Sequence, residues 1–167
     1  QLVSVLAVED ALQAIVDKLK ALGIEDDTVL VYSADNGYAW GEHHWSGKNC
    51  AYEECARVPL MVFDPRAPAG GKKVDSFVMN IDLAPTFAEL AGVKPADKVD
   101  GLSLVPLLSG EAPWPRKELL LECWGLGSFG KTGKPDIHAA IRTKQWKYVE
   151  HYDDPERKKL HKRKDGE

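Results

Sequence analysis

Between Val29 and Lys48 the chain reads VLVYSADNGYAWGEHHWSGK, and its polar residues are of types that do chemistry. Asp35 and Asn36 offer one charged and one neutral oxygen from adjacent positions, a pairing that suits a hard divalent cation such as calcium or magnesium. Gly37 permits the bend that lets both reach one ion. The plainer reading of the same three residues is an Asn-Gly turn with a capping Asp, a very common loop. His43 and His44 follow, and a loop histidine is more often a hydrogen-bonded surface residue than a ligand. Lys48 stands between Gly47 and Asn49. If the loop folds back toward the strand end, its point charge can hold an anionic oxygen.

Such residues need elements to position them. Val5, Val8, Leu12, Ile15, Val16, Leu19 and Leu22 recur at helical spacing, and Gly23 is a C-terminal stop. Thr28 to Tyr32 is a continuous apolar and β-branched run, which predicts a strand buried on both faces, as in a parallel sheet under helical cover. Ligands of open α/β sheets bind beyond the carboxyl ends of the strands, where Asp35 and Asn36 fall. Asp35 to Cys55 then forms a long glycine-punctuated loop; its aromatic residues Tyr38, Trp40, Trp45 and Tyr52 argue for order. Val58 to Phe63 predicts a second strand, with Pro59 near its start or at a sheet edge. Asp82 caps a helix with Pro85 in its first turn and Gly92 at its end. Leu102 to Leu108 is a short apolar segment closed by Gly110. Leu119 to Trp124 predicts a strand, and 139–142 with 146–151 a hairpin around Thr143, Lys144 and Gln145. The expected fold class is α/β: part of a mixed, mainly parallel sheet covered by helices over residues 1–115, then a small antiparallel C-terminal sheet over 116–167.

The totals narrow the function. The chain has 167 residues, 44% of them hydrophobic and 29% charged, the composition of a globular domain or of part of a larger one. A net charge of −4 gives a nucleic-acid partner no overall electrostatic support. The exception is RKKLHKRK, Arg157 to Lys164, read as a solvated tail or edge strand, with contact to a sulfate- or phosphate-rich polymer as the alternative. No apolar run approaches the roughly 20 residues of a membrane span. Three cysteines, Cys50, Cys55 and Cys123, match neither a disulfide framework nor a zinc spacing, and are expected to be buried thiols. The chain opens on Gln1 and enters directly into a helical pattern, so it is expected to begin at a cut.

Taken in order, Asp35-Asn36-Gly37, Gly41-Glu42-His43, Gly47-Lys48 and Tyr52-Glu53-Glu54 through Arg57-Val58-Pro59-Leu60 resemble the sulfatase family of the alkaline phosphatase superfamily. Asn80 to Thr86, Glu89 to Gly92, Asp100 to Leu104, Leu107 to Gly110, and Ala140 to Thr143 with Trp146-Lys147-Tyr148 continue the resemblance over nearly the whole chain. The resemblance implies that Asp35 and Asn36 are two ligands of a catalytic calcium, or of magnesium in its place. It implies that Lys48 is catalytic and contacts the sulfate, and that His43 assists at the substrate or behind it. Glu53, Glu54 and Arg57 read as scaffold pairs that fix the loop. Ala34 replaces the serine usual before the aspartate.

The family's nucleophile, a formylglycine made in a Cys/Ser-x-Pro-x-Arg motif, has no counterpart in this chain, nor has the first metal-binding aspartate pair. The expectation is therefore the C-terminal portion of a sulfatase acting on a sulfated small molecule or glycan, inactive without the N-terminal half of the same fold. The alternatives are a phosphodiesterase or phosphonate hydrolase of the same superfamily, and a non-catalytic module binding a sulfated glycan. Asn36, where several phosphodiesterase relatives carry histidine, leans toward a sulfatase. A periplasmic, secreted or lysosomal address is implied by the resemblance alone.

Overall fold

The structure, a computed structural model, describes residues 2–67, 71–95, 97–110, 113–123 and 137–152. The basic run 157–164 lies outside the described residues. The chain forms two compact units, residues 1–33 with 60–72 and residues 34–59 with 73–167.

The first unit holds helix α1 (Leu2–Leu22) and strands β1 (Leu30–Ser33) and β4 (Leu60–Phe63). Gly23 ends α1 at φ 66°, and the Gly23 and Ile24 amides donate to the carbonyls of Lys20 and Leu19, closing the helix as its sequence predicts. β1 pairs with β4 antiparallel, Leu30 opposite Phe63 and Ser33 opposite Leu60. This corrects the mainly parallel arrangement expected for these strands: every strand pair among the described residues is antiparallel. A continuous apolar run reports burial but not direction. The residues joining β1 to β4 hold only a two-residue-strand hairpin and a one-turn helix, not the crossover helix a parallel pair needs. Nor is this pair buried on both faces, since Met61 and Phe63 are 57% and 56% exposed.

The second unit carries the candidate site. Its segment 34–59 contains strands β2 (Ala39–Trp40) and β3 (Ser46–Gly47), a 3-10 turn over Glu42–His44, and the one-turn helix α2 (Glu53–Ala56). Helix α3 (Leu83–Leu90) follows a 3-10 turn over Asn80–Asp82, and helix α4 (Val105–Ser109) ends at Gly110 in the left-handed region. Strands β5 (Glu118–Cys123), β6 (His138–Thr143) and β7 (Lys147–His151) form the small antiparallel C-terminal sheet in order β5-β6-β7, as expected.

Asp82 does not cap the helix as its sequence position predicts. Its side chain makes no N-cap bond to α3; it reaches back to accept the Met79 amide at 2.8 Å and forward to accept the Leu102 amide at 2.8 Å. Arg116 closes on it with both guanidinium nitrogens, Nη2 at 2.6 Å from Oδ1. Asp82 is fully buried, and a buried carboxylate persists only when paired and hydrogen-bonded. Burial pushes its pKa up, but the Arg116 guanidinium and the two amides hold it below the ordinary 3.8. Gly101 packs so closely there that a β-carbon would lie 2.0 Å from the Ile81 carbonyl oxygen. This knot ties the start of α3 to the residues leading into β5.

Candidate active site

Beyond Ser33 the backbone turns at Asp35, whose Oδ1 accepts the Asn36 amide at 2.8 Å. The chain bends here as the plainer reading has it, but the bond runs to the adjacent residue and so is not an Asx turn. The turn also aims the Asn36 side chain: Nδ2 donates to the Gly37 carbonyl at 3.0 Å, which fixes Oδ1 as the outward oxygen. Lys48 Nζ donates to that Oδ1 at 3.2 Å, across twelve residues of sequence. The fold-back on which any role for Lys48 depended is therefore present.

β2 and β3 make the fold-back possible. Ala39 lies opposite Gly47 and Trp40 opposite Ser46, so the hairpin returns Lys48 to the level of the Asp35 turn. Alternation along β2 buries Ala39 and leaves Tyr38 and Trp40 exposed, their rings 4.4 Å apart. The Trp40 amide donates to Glu42 Oε2 at 2.6 Å, and backbone hydrogen bonds from Glu42 itself and from Trp40 hold the Glu42 carboxyl below its ordinary 4.5. Gly37 is required for a reason other than bending. Its amide donates to the Cys55 carbonyl at 2.9 Å, and a β-carbon on it would lie 2.0 Å from the Glu54 carbonyl oxygen.

The cysteines are not all the buried thiols that their spacing predicts. Cys50 and Cys55 form a disulfide with Cα atoms 5.5 Å apart, and Cys123 is the free one. α2 turns the chain so that Cys55 comes back beside Cys50, and no paired C-x-x-C announces that. The bridge, Ala39 and the half-buried Trp45 form the apolar cluster under the hairpin.

His43 sits at φ 54°, His44 at φ 58° and Asn49 at φ 67°, backbone conformations that residues with side chains rarely adopt. The His43 ring stacks on Tyr52 at 3.9 Å and 8°, and its Nε2 approaches Glu54 Oε2 at 3.3 Å. No hydrogen bond is aligned between those two atoms, so Glu54 Oε2 is buried without one, as is Trp45 Nε1. The scaffold reading holds for two of its three residues. Glu54 backs His43, and Glu53 takes Arg142 and Lys147; Arg57 is exposed and pairs with no acid among the described residues.

The decisive feature is charge. Lys48 is half-buried, its ammonium rests on the neutral oxygen of Asn36, and it forms no ion pair among the described residues. Asp35, exposed on the same turn, has no cationic partner there either. Asp35 and Asn36 present oxygens only, one of them charged, so the donor chemistry fits calcium or magnesium. Two residues fill part of a shell of six to eight oxygens. Among the described residues no group of three His, Cys, Asp or Glu side chains adds the rest.

The family model described as N-sulphoglucosamine sulphohydrolase, C-terminal, matches residues 41–166, three quarters of the sequence. The chain belongs to the sulfatase family. The sulfatase chain is 34% identical over 153 residues to an N-acetylglucosamine-6-O-sulfatase of Bacteroides thetaiotaomicron, matching 92% of its own length and 27% of that protein. Among solved structures it superposes with a TM-score of 0.81 and 35% identity on one in complex with its substrate D-glucosamine-2-N,6-O-disulfate, covering 90% of this chain and 30% of that one. A phosphonate monoester hydrolase from Silicibacter pomeroyi gives a TM-score of 0.74 at 30% identity over 86% of this chain and 30% of its own. The chain thus spans under a third of the relatives it matches.

Proposed function

We propose that this sulfatase chain is the C-terminal portion of a sulfuric ester hydrolase acting on sulfated sugars, and that Asp35, Asn36 and Lys48 are its share of the active site. The observation that carries the reading is the half-buried Lys48 ammonium, turned onto Asn36 Oδ1 and without an anionic partner among the described residues. A cation so placed is electrostatically incomplete, and a sulfate ester supplies the missing negative oxygens.

Lys48 Nζ donates to a non-bridging oxygen of the ester, neutralising the charge that builds as the ester bond breaks. Asn36 orients that ammonium through Oδ1, and Asp35 fixes the turn that presents Asn36. Asp35 and Asn36 would also hold a calcium, or a magnesium in its place; the chemistry such an ion supplies is charge neutralisation on the same oxygens. His43, stacked on Tyr52 and beside Glu54, braces the loop that carries Lys48. The attacking group and the other metal ligands lie outside this chain, which by itself is inactive. A sugar substrate is supported by the kinship with an N-acetylglucosamine-6-O-sulfatase and with a structure in complex with a disulfated glucosamine.

The kinship with a phosphonate monoester hydrolase keeps a second reading in view, because a cation beside oxygen ligands serves a phosphonate ester equally well. The test is turnover by the full-length protein of matched aryl sulfate and aryl phosphonate esters, with and without Lys48→Ala. Faster turnover of the sulfate, lost in the variant, supports the proposal. Preference for the phosphonate moves the assignment to the second reading, and turnover unaffected by Lys48→Ala removes the role given to Lys48.

A further inference from the structure

Arg142 on β6 and Lys147 on β7 take no part in the chemistry above, yet the sheet aims both at the loop that performs it. They face each other in the β6–β7 register, so their side chains leave the same face of the sheet. Lys147 Nζ donates to the Ala51 carbonyl at 2.8 Å and pairs with Glu53 Oε1. Arg142 Nε reaches that same Oε1 at 3.3 Å. On this face of the neighbouring strand β5, Cys123 Sγ lies 3.9 Å from the Asn49 carbonyl oxygen. The sheet therefore grips residues 49, 51 and 53, alternate positions directly after Lys48. That segment needs an outside hold: Asn49 carries a positive φ, and Cys50 is tied forward to Cys55. Lys147 is the member that touches both backbone and carboxylate, and an ammonium with three donors can satisfy both at once.

We propose that Lys147, assisted by Arg142, is a positioning residue for Lys48: it locks the 49–53 segment through the Ala51 carbonyl and Glu53, and so holds the Lys48 ammonium on Asn36. The inference rests on the reading of Lys48 as the sulfate-binding residue. It gives a role to the Arg-Thr…Trp-Lys-Tyr stretch that the sequence singled out, and it makes the C-terminal sheet part of the catalytic apparatus rather than an appendage.

The test compares Lys147→Met, Lys147→Arg and Tyr148→Ser, the last an exposed residue on the opposite face of the same strand. The first measurement is the rate at which dithiothreitol reduces the buried Cys50–Cys55 bridge in the 167-residue chain, which reports opening of the loop. The second is kcat and KM for an aryl sulfate with the full-length protein. Lys147→Met is expected to speed reduction about tenfold, the effect of losing one charge-assisted hydrogen bond. It is expected to lower kcat about 10- to 100-fold with KM changed by less than about threefold, the signature of a misplaced transition-state contact. Lys147→Arg retains charge on Glu53 and recovers part of both effects, while Tyr148→Ser leaves both at wild-type values. Reduction at the wild-type rate in Lys147→Met, an unchanged kcat, or equal effects from Tyr148→Ser would overturn the proposal. If the unmodified full-length protein turns over no sulfate ester while Lys147→Met still speeds reduction, the sulfatase reading falls and the hold of Lys147 on the loop stands.

Discussion

Replacing Arg116 by methionine removes the only cation among the described residues that pairs with a fully buried carboxylate, Asp82, and the structure sets the size of the loss. Asp82 accepts four hydrogen bonds, two from the Met79 and Leu102 amides and two from Arg116. Arg116 is itself only 10% exposed, so solvent screens the pair little. In Arg116→Met the two amides remain, but the charge is buried without a counterion, and breaking a buried pair in this way costs about 3–5 kcal/mol. A domain's whole stability is about 5–15 kcal/mol, so the variant should lose about a fifth of it or more. Urea unfolding of the 167-residue chain at pH 7, followed by circular dichroism, measures this directly. Asp82→Asn combined with Arg116→Met should cost much less than the sum of the single changes, because neither charge is then stranded. The pH dependence has a definite sign. The folded pKa of Asp82 lies below its unfolded value near 3.9, so the pair's contribution is present above that value and is lost as pH falls through the folded pKa. The deficit of Arg116→Met should accordingly shrink in acid, where Asp82 protonates in both proteins. A loss under about 1 kcal/mol at pH 7, the worth of a surface pair, would refute this account of the knot.

Other outcomes follow from the loop. Lys48→Ala in the full-length protein should lower kcat about 10²- to 10³-fold, as removal of one charge-stabilising donor does, and circular dichroism should show an unchanged fold. Gly37→Ala forces a β-carbon onto the Glu54 carbonyl and should destabilise the chain by about 1–3 kcal/mol in urea unfolding, although its φ is not left-handed. Reducing the Cys50–Cys55 bridge, which closes a short loop, should cost about 2 kcal/mol by the same assay. Burial raises the Glu53 pKa while Lys147 and Arg142 lower it more, so its folded value lies below 4.5. Its hold on Lys147 should be intact above pH 4.5 and weaken as pH falls through the folded value, seen as bridge reduction that speeds up in acid when a phosphine, which needs no thiolate, is the reductant, a pH dependence absent from Glu53→Gln.

The sequence by itself determined the parts that depend on local spacing. Helical periodicity and a glycine stop placed α1, the Thr-Lys-Gln turn placed the β6–β7 hairpin, and the ordered short motifs carried the family. Motif order also set Asp35, Asn36 and Lys48 apart from the many loop residues that resemble them chemically. Only the tertiary structure decided the rest, because those features join residues far apart in sequence. The direction of β4 against β1 is a property of the connection and not of either apolar run. The pairing of Cys50 with Cys55 depends on one turn of helix between them. Gly37 is fixed by a carbonyl seventeen residues away, a close approach that no local pattern encodes. Arg116 on Asp82 and Lys147 on Glu53 span 34 and 94 positions, and in the sequence each of the four is only one of 48 charged residues. The fold-back that sets Lys48 on Asn36 is the same kind of fact. The sequence named both residues, and a two-residue β hairpin brings them within 3.2 Å.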